Sequence, residues 1–265
     1  MNPTRIAIHG AAGRMGLRLI ALAHQDPELQ VAAAIDSPQH PAQGQDMGIV
    51  AGLGPIEVPL RADLPDQVQV VIDFSVPAAA QSITRICRER RVPLVMATTG
   101  LDPSQQELVR SAAETTAVVW APSMSLAVNL TMRLVQMAAQ VLKHQSQGVD
   151  VEILERHHRF KVDAPSGTAL KFGQIIADVM GQTHHVHGRE GQIGQRPRDE
   201  IAYHAIRVGD NPGEHTIVFG MLGETIEFTV RATNRDCYAL GALAAARFVA
   251  DKPSGLYSMS DVLGL

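Results

Sequence analysis

The sequence RIAIHGAAGRMG, residues 5–16, joins a short apolar run to a glycine-rich turn. Residues 14–24 then place apolar side chains at helical spacing, and a second apolar run, residues 31–36, ends in Asp36. A strand, a tight turn, a helix and a second strand ending in an acid form the unit that binds dinucleotides. In such units the glycines let the backbone approach the pyrophosphate, and the carboxylate accepts from a ribose hydroxyl. We predict that the nucleotide-binding residues of this unit are Gly10, Ala11, Ala12, Gly13, Arg14, Met15 and Asp36. Ala12 stands where the usual spacing places glycine.

The rest of the first half repeats this alternation of short apolar runs with helical patterns. We predict strands at residues 68–73, 92–96 and 117–120, and helices at residues 77–90 and from 103 to about 115. Such alternation is typical of a doubly wound, parallel α/β sheet of the Rossmann type. Two further strand ends are expected at the same carboxyl edge, where open α/β sheets bind ligands. They carry Ala97, Thr98 and Thr99, and Ala121, Pro122, Ser123 and Met124.

The pattern changes after Trp120. We predict a helix at residues 126–144, a strand at 149–154, a polar stretch at 155–167 and a helix from about 168 to 180. The stretch that follows, up to Gly194, is predicted to be a loop and carries His184, His185 and His187. Strands at 201–208, 215–221 and 224–231 then predict a second α+β domain with a mixed, largely antiparallel sheet. A last helix is expected at about residues 239–250.

Composition limits the class of protein. The chain has 265 residues, 45% of them apolar, and a formal net charge of -4, so we expect one or two folded domains. The slight acidic excess argues against nucleic-acid and anionic-membrane partners. Cys87 and Cys237 are too few for a disulfide scaffold. We recognise no membrane-spanning stretch or signal peptide, and therefore expect a cytoplasmic protein.

The stretch most suggestive of chemistry is ERHHRFKVDAPSGTA, residues 155–169. Five potential cations fall within six positions: Arg156, His157, His158, Arg159 and Lys161. Their mutual repulsion favours an anionic ligand. The sequence Ser-Gly-Thr at 166–168 then opens a helix, whose first N–H groups suit a carboxylate or a phosphate.

The whole chain resembles the dihydrodipicolinate reductase (4-hydroxy-tetrahydrodipicolinate reductase) family of the diaminopimelate route to lysine. The resemblance begins with Gly-Arg-Met-Gly at 13–16 and Ala-Thr-Thr-Gly at 97–100. It continues with residues 155–169, Arg-Glu-Gly at 189–191, Gly-Glu-His-Thr at 213–216 and Asp-Val-Leu at 261–263. Its most specific part is the string His-His-x-x-Lys-x-Asp-Ala-Pro-Ser-Gly-Thr. The chain departs from the family pattern at Ala97, where glycine is frequent, and at Ser37, where some members carry arginine.

The resemblance implies a domain organisation and an assembly. Residues 1–124 and 235–265 would form the dinucleotide-binding domain, and residues 125–234 the substrate-binding and oligomerisation domain. The family forms homotetramers, so a homotetramer is expected here. The apolar strands between His215 and Val230 give a second reason, since we predict no further helix layer to cover them.

The resemblance also implies roles for individual residues. His157 would be the catalytic acid/base and Lys161 the proton donor or electrostatic catalyst. His158, Gly167 and Thr168 would bind the carboxylates of the substrate. The cofactor would be bound by residues 10–15, Asp36, residues 97–99 and residues 121–124. The reaction implied is hydride transfer to a cyclic, conjugated imine dicarboxylate, formed from its hydroxylated precursor by loss of water.

The end of the second strand predicts the choice of cofactor. Asp36 can accept from the ribose 2′-hydroxyl of NADH but would repel the 2′-phosphate of NADPH unless an arginine offsets it. Ser37 carries no charge, and Arg14 is the nearest arginine candidate in the sequence. We therefore expect both NADH and NADPH to be used, with NADH favoured.

Three alternatives stay open on the sequence alone. Another two-domain dehydrogenase is one, although a semialdehyde dehydrogenase would need an activated cysteine. A metal site formed by His157, His158, His184, His185 and His187 is the second, but no known ligand spacing completes it, so no metal is predicted. A non-enzymatic redox sensor is the third; it would need the nucleotide domain but not the cationic loop.

Overall fold

The computed structural model describes residues 2–265, so that the first residue of the predicted nucleotide domain, Met1, lies outside it. The described residues form two compact units. The first reaches Leu126 and resumes at Asp236, and the second runs from Ala127 to Arg235. Each unit is built around a sheet of its own.

A seven-stranded parallel sheet is the frame of the first unit. Its strands are β1 (Thr4–His9), β2 (Leu29–Ile35), β3 (Leu60–Arg61), β4 (Val70–Asp73), β5 (Leu94–Met96), β6 (Ala117–Trp120) and, after the second unit, β12 (Gly255–Tyr257). Their order in space is β12-β6-β5-β4-β1-β2-β3. Strands β2 and β3 lie on one side of β1, and β4, β5 and β6 lie on the other, so the sequence order of the strands reverses at β1. The loops after these strands therefore surround the crevice in which open sheets bind ligands.

Helices cover both faces of this sheet. They are α1 (Arg14–His24), α2 (Met47–Val50), α3 (Pro77–Arg90), α4 (Pro103–Ala113), α7 (Asp236–Val249) and α8 (Met259–Leu263). Side chains of α1 and α7 pack with Ile6 and Ile8 on one face, and those of α3 and α4 pack with Val71 and Leu94 on the other. The close approach of α7 requires Gly241, because a Cβ atom there would lie 1.7 Å from the carbonyl oxygen of Met124.

The second unit places a mixed five-stranded sheet against two helices. Its elements are α5 (Leu126–Leu142), β7 (Asp150–His157), α6 (Gly167–Met180), β8 (His184–His187), β9 (Glu200–Arg207), β10 (Gly213–Met221) and β11 (Glu224–Ala232). The sheet order is β11-β10-β7-β9-β8. Pairings β11-β10 and β10-β7 are antiparallel, and β7-β9 and β9-β8 are parallel. One face packs on α5 and α6 around Phe172 and Phe219.

The predicted fold class is confirmed: a doubly wound parallel sheet precedes an α+β unit with a mixed sheet. Two local predictions are wrong. Strand β7 does not stop at residue 154 but runs to His157, because Glu155 pairs with both β9 and β10, and His157 pairs with β9. Residues 184–187 are not a loop but an edge strand, which pairs in parallel with β9. The short elements α2, β3, β12 and α8 were not predicted.

The prediction that no helix layer covers the apolar strands between His215 and Val230 is also wrong. The apolar face that includes Ile217 and Val230 is covered by α5 and α6 of the same chain. The expectation of a homotetramer therefore depends on the family alone. Among residues 2–265, no helix combines the length and the apolar character that a membrane crossing requires.

Candidate active site

The turn between β1 and α1 has the backbone geometry of a nucleotide-binding loop. Gly10 has a φ of +77°, in the left-handed region, and a Cβ atom there would lie 2.6 Å from the carbonyl oxygen of Phe74. A Cβ atom at Gly16 would lie 2.3 Å from the carbonyl oxygen of Gly10. Gly13 is the N-cap of α1 and provides no side-chain cap for its first N–H groups. The turn therefore brings uncapped backbone N–H groups to the edge of the sheet, as a pyrophosphate needs.

Asp36 is attached to this turn. One carboxylate oxygen accepts from the backbone N–H of Ala12 at 3.0 Å, and the other from Ser37 N–H at 2.8 Å. Each oxygen keeps further acceptor capacity for a ribose hydroxyl. Arg14 is exposed at the start of α1. Arg61, which sequence reasoning missed, pairs in register with Ile35, but its guanidinium is bound to Asp63 at 2.7 Å.

A buried polar network lies beneath the ends of β1, β4 and β5. The fully buried Asp73 carboxylate lies 2.6 Å from His9 Nδ1 and accepts from the Thr98 hydroxyl at 2.8 Å. The Thr98 hydroxyl in turn accepts from Ser75 N–H at 2.9 Å. Because its hydroxyl is committed to Asp73, Thr98 fixes the loop after β5 and offers a ligand mainly its backbone.

The remaining predicted cofactor residues follow β5 and β6 at the same edge. The side chains of Ala11, Ala97, Ala121 and Met124 are buried in the apolar core. They can contact a ligand mainly through the backbone. Thr99 and Pro122 are exposed, whereas Ala12, Met15 and Ser123 are partly exposed. Uncapped N–H groups, a carboxylate at the ribose position and small residues at the strand ends fit a dinucleotide.

In the second unit, the predicted catalytic residue His157 is bound to a buried carboxylate, that of Glu155. Its Nδ1 atom lies 2.5 Å from Glu155 Oε2. The Arg207 guanidinium donates to both carboxylate oxygens, each at 2.7 Å. The backbone N–H of Ser166 donates to Oε1 at 3.0 Å. Burial alone would raise the pKa of Glu155, but the hydrogen bonds from Arg207 and His157 outweigh it and lower that pKa.

A second histidine, His215, lies against His157. The ring centroids are 5.2 Å apart in an edge-to-face arrangement. The Nε2 atom of His215 is 2.9 Å from the Ser166 hydroxyl. Burial lowers the pKa of His157 more than Glu155 raises it. Burial and the neighbouring His157 lower the pKa of His215 to about 4, so His215 is neutral near pH 7.

The cationic loop is partly neutralised within the chain, which corrects the repulsion argument. The Lys161 ammonium donates to both oxygens of Asp163, at 2.7 and 2.9 Å. Arg156 lies 3.7 Å from Glu214. His158 differs, because its Nδ1 atom is buried and has no hydrogen-bond partner among residues 2–265. A ligand could satisfy that atom, so His158 remains the clearest binding candidate of the loop.

The start of α6 adjoins this cluster. Ser166 is the N-cap, and its hydroxyl accepts from Ala169 N–H at 3.2 Å. The N–H groups of Gly167 and Thr168 belong to the first turn, where backbone donors lack intrahelical acceptors. Ser166 therefore contacts both His215 and Glu155, and it directly precedes the two N–H donors of Gly167 and Thr168, which suit a carboxylate.

Sequence reasoning missed four members of this cluster: Glu155, Ser166, Arg207 and His215. The motifs at 155–169 and 213–216 contained three of them, but nothing in the sequence gave Arg207 a role. Register explains the omission, since Arg207 lies opposite His157 on β9 and His215 lies opposite Glu155 on β10.

The alternatives gain no structural support. No group of three or more His, Cys, Asp and Glu residues in the described chain is arranged to hold a metal ion. On β8, His185 Nδ1 lies instead 2.8 Å from the Tyr203 hydroxyl. Burial raises the pKa values of the Cys87 and Cys237 thiols, which makes both poor nucleophiles.

The fold and these two sets of residues define a class: a Rossmann-type protein with a dinucleotide edge in one unit and an anion-suited histidine cluster in the other. Comparison with known proteins narrows the class. Residues 4–124 match the model of the dihydrodipicolinate reductase N-terminus, and residues 127–263 match that of the C-terminus. The chain belongs to the dihydrodipicolinate reductase family, which confirms the resemblance.

Individual relatives agree over the full length. The 4-hydroxy-tetrahydrodipicolinate reductase of Rhodopirellula baltica is 56% identical over 100% of this chain and 97% of its own length. That of Halorhodospira halophila is 44% identical over 98% of both chains. A dipicolinate-bound dihydrodipicolinate reductase from Paenisporosarcina sp. TG-14 has a TM-score of 0.77 and 25% identity, over 97% of each chain.

The pKa of His215 predicts a pH-dependent stability. A histidine in the unfolded chain has a pKa of about 6.5, whereas the folded His215, with a pKa of about 4, stays neutral down to that pH. As the pH falls between these values, only the unfolded chain gains this proton, so the free energy of unfolding should decrease. The slope from one proton is at most about 1.4 kcal/mol per pH unit.

Urea unfolding at several pH values tests this prediction. His215→Gln should flatten the decrease between pH 6.5 and 4, because the group that titrates is gone. His184→Gln, on the exposed edge strand β8, should keep the wild-type dependence. Parallel curves for the wild type and His215→Gln would contradict the assignment.

Proposed function

We propose that this chain reduces 4-hydroxy-tetrahydrodipicolinate with NADH or NADPH, giving tetrahydrodipicolinate in lysine biosynthesis. The observation that carries the proposal is the cluster around Glu155. It holds an oriented histidine, His157, near the start of α6, and the next residue in the chain, His158, has an unsatisfied buried nitrogen. An acid/base group beside donors suited to carboxylates is what protonation of a dicarboxylate substrate requires.

Each candidate site residue of the second unit has a role in this proposal. His158 and the N–H groups of Gly167 and Thr168 bind the two carboxylates. Loss of water from the hydroxylated substrate gives a conjugated imine, and the reduced nicotinamide, when bound, would supply the hydride that adds to it. Negative charge then develops on the resulting enamine, which takes up a proton. His157 moves that proton, and the Lys161 ammonium stabilises the charge or donates in its place.

The cofactor is assigned to the first unit. The N–H groups of Arg14 and Met15 at the start of α1 hold the pyrophosphate, and Asp36 accepts from the adenosine ribose. Residues 10–13 shape the turn, because their own N–H groups donate within the chain. The loops at residues 97–99 and 121–124 provide backbone groups for the nicotinamide end. Fixing the loop after β5 through Asp73 prepares that edge before the cofactor binds.

Turnover of variants tests the catalytic assignment. The substrate should be generated fresh from aspartate semialdehyde and pyruvate by the preceding synthase, while oxidation of the reduced cofactor is followed. His157→Ala and Lys161→Ala should each lower kcat by about 10²–10⁴-fold, the usual contribution of a positioned acid/base, with a larger loss in the double variant. His158→Ala and Thr168→Ala should mainly raise KM.

Cofactor binding provides the control for these variants. All four should bind NADH with wild-type affinity, because the altered residues belong to the second unit. Lys171→Ala, which removes an exposed charge on α6 of the same unit, should leave both constants near wild type. A near-normal kcat in His157→Ala would exclude His157 as the acid/base.

The choice of cofactor is a second test. Because Asp36 presents a carboxylate to the ribose and Arg61 is bound to Asp63, we expect dual use with kcat/KM higher for NADH. Asp36→Ala should weaken the use of NADH more than that of NADPH. A kcat/KM for NADPH tenfold above that for NADH, roughly 1.4 kcal/mol, would contradict this prediction. Arg14 would then become the candidate phosphate ligand.

The expected assembly is a homotetramer, as the family resemblance implies, and the expected location is the cytoplasm. Light scattering at micromolar concentration should give about four times the 28.5 kDa chain mass. A mass near that of one chain would contradict the expectation.

A further inference from the structure

The Glu155 carboxylate is the shared hydrogen-bond acceptor of His157, Arg207 and Ser166. It is completely buried and accepts four hydrogen bonds: two from Arg207, one from His157 Nδ1 and one from Ser166 N–H. These donors come from three different segments of the chain. A buried carboxylate is unfavourable unless it is paired and hydrogen-bonded. Because all four donors are needed to satisfy this carboxylate, it fixes the positions of the groups that donate to it.

We propose that Glu155 is the positioning residue for His157: its carboxylate places the proton of the neutral imidazole on Nδ1, presents Nε2 to the substrate, and joins this histidine to the start of α6. The catalytic consequence rests on the proposed function, whereas the position of the proton does not.

The position of the proton follows from the chemistry of the two partners. The hydrogen bonds of Arg207 and His157 hold the pKa of Glu155 below its usual range, so the carboxylate is ionised near neutral pH. An ionised carboxylate only accepts hydrogen bonds. The 2.5 Å contact therefore requires a proton on His157 Nδ1, which leaves Nε2 as the nitrogen that exchanges a proton with substrate.

Burial of the ring keeps this arrangement from locking the imidazole in its charged form, and the charges of Lys161 and Arg207 act in the same direction. A lone carboxylate would strongly favour the imidazolium. Here the groups that face His157 are Glu155, which raises its pKa, and Lys161 and Arg207, which lower it, together with the neutral His215. The net direction of the pKa of His157 is downward, so the neutral imidazole is its resting form at pH 7.

The same carboxylate sets the geometry between the acid/base and the substrate carboxylate. Oxygen Oε2 holds His157, while Oε1 holds Ser166 N–H, directly before Gly167 and Thr168. The second amino group of Arg207 also donates to the carbonyl oxygen of Asp163, the partner of Lys161. One ion pair thus ties the segments that carry His157, Lys161 and the helix start.

Glu155→Gln tests the assignment sharply, because an amide has only one oxygen. That oxygen should stay at the Oε1 position, where it satisfies the buried Ser166 N–H. The amide NH₂ group would then face His157 Nδ1 and push the ring proton to Nε2. Glu152→Gln is the matched control, since Glu152 is another ion-paired carboxylate of β7 but pairs with Arg189, Arg196 and His204 instead.

Nitrogen NMR of ¹⁵N-histidine-labelled protein reads the result directly. The His157 signal is assigned by its loss in His157→Asn. In the wild type and in Glu152→Gln, the neutral ring should carry its proton on Nδ1. In Glu155→Gln the proton should move to Nε2, and the titration midpoint of His157 should fall because a neighbouring negative charge is gone.

Kinetics supply the second readout. In Glu155→Gln, kcat should fall roughly 10²-fold or more, as expected for an imidazole with the wrong tautomer, and the descending limb of its pH profile should shift to lower pH. Glu152→Gln should keep the wild-type profile. Glu155→Asp, which retains the charge, should keep the His157 midpoint closer to wild type than Glu155→Gln does.

Several results would overturn the proposal. They are a wild-type spectrum with the proton on Nε2, a Glu155→Gln spectrum and midpoint identical to wild type, and a normal kcat despite a moved proton. If Glu155→Gln fails to fold, the wild-type spectrum and Glu155→Asp still decide. If the wild type does not reduce the substrate, the proposed function fails, while the NMR result still decides the position of the proton.

Discussion

The buried carboxylate of Glu155 is the constraint on which the second unit depends. Removing an ionised carboxylate from water costs several kcal/mol by general estimates, and the chain offsets this cost with four donors. The bidentate contact with Arg207 is the strongest kind of such pairing. Because these donors cannot move independently, the ion pair holds an imidazole, a helix start and a lysine-bearing loop in one arrangement.

The mixed sheet is what makes this arrangement possible. Strand β7 lies between β9 and β10, so Arg207 reaches Glu155 from one side and His215 faces it from the other. Side chains on this face of β7 also pack on α5 and α6, which excludes water. The first unit uses an analogous device, since Asp73 is fully buried and fixes the loop after β5 through Thr98.

The sequence predicted the parts of the fold and of the site that are formed by residues close together in the chain. The turn at residues 10–16 and the string at 155–169 are local. The first indicated the Rossmann-type unit, and the second supported the family resemblance that implied the candidates His157 and Lys161. Arg207 could not be found in this way, because it lies 52 positions from Glu155 and only strand register joins them. Strand β8 was missed for a related reason: its histidines are mostly exposed at a sheet edge and show no apolar alternation.

Glu155 and Arg207 act as one ion pair, and a double-mutant cycle on the free energy of unfolding is the most direct test of this pairing. Arg207→Met leaves a buried, unpaired carboxylate and should destabilise the chain by roughly 3 kcal/mol. Glu155→Gln in that background should cost much less than in the wild type, giving a coupling energy of roughly 1–3 kcal/mol. Strictly additive effects of the two substitutions would contradict the account.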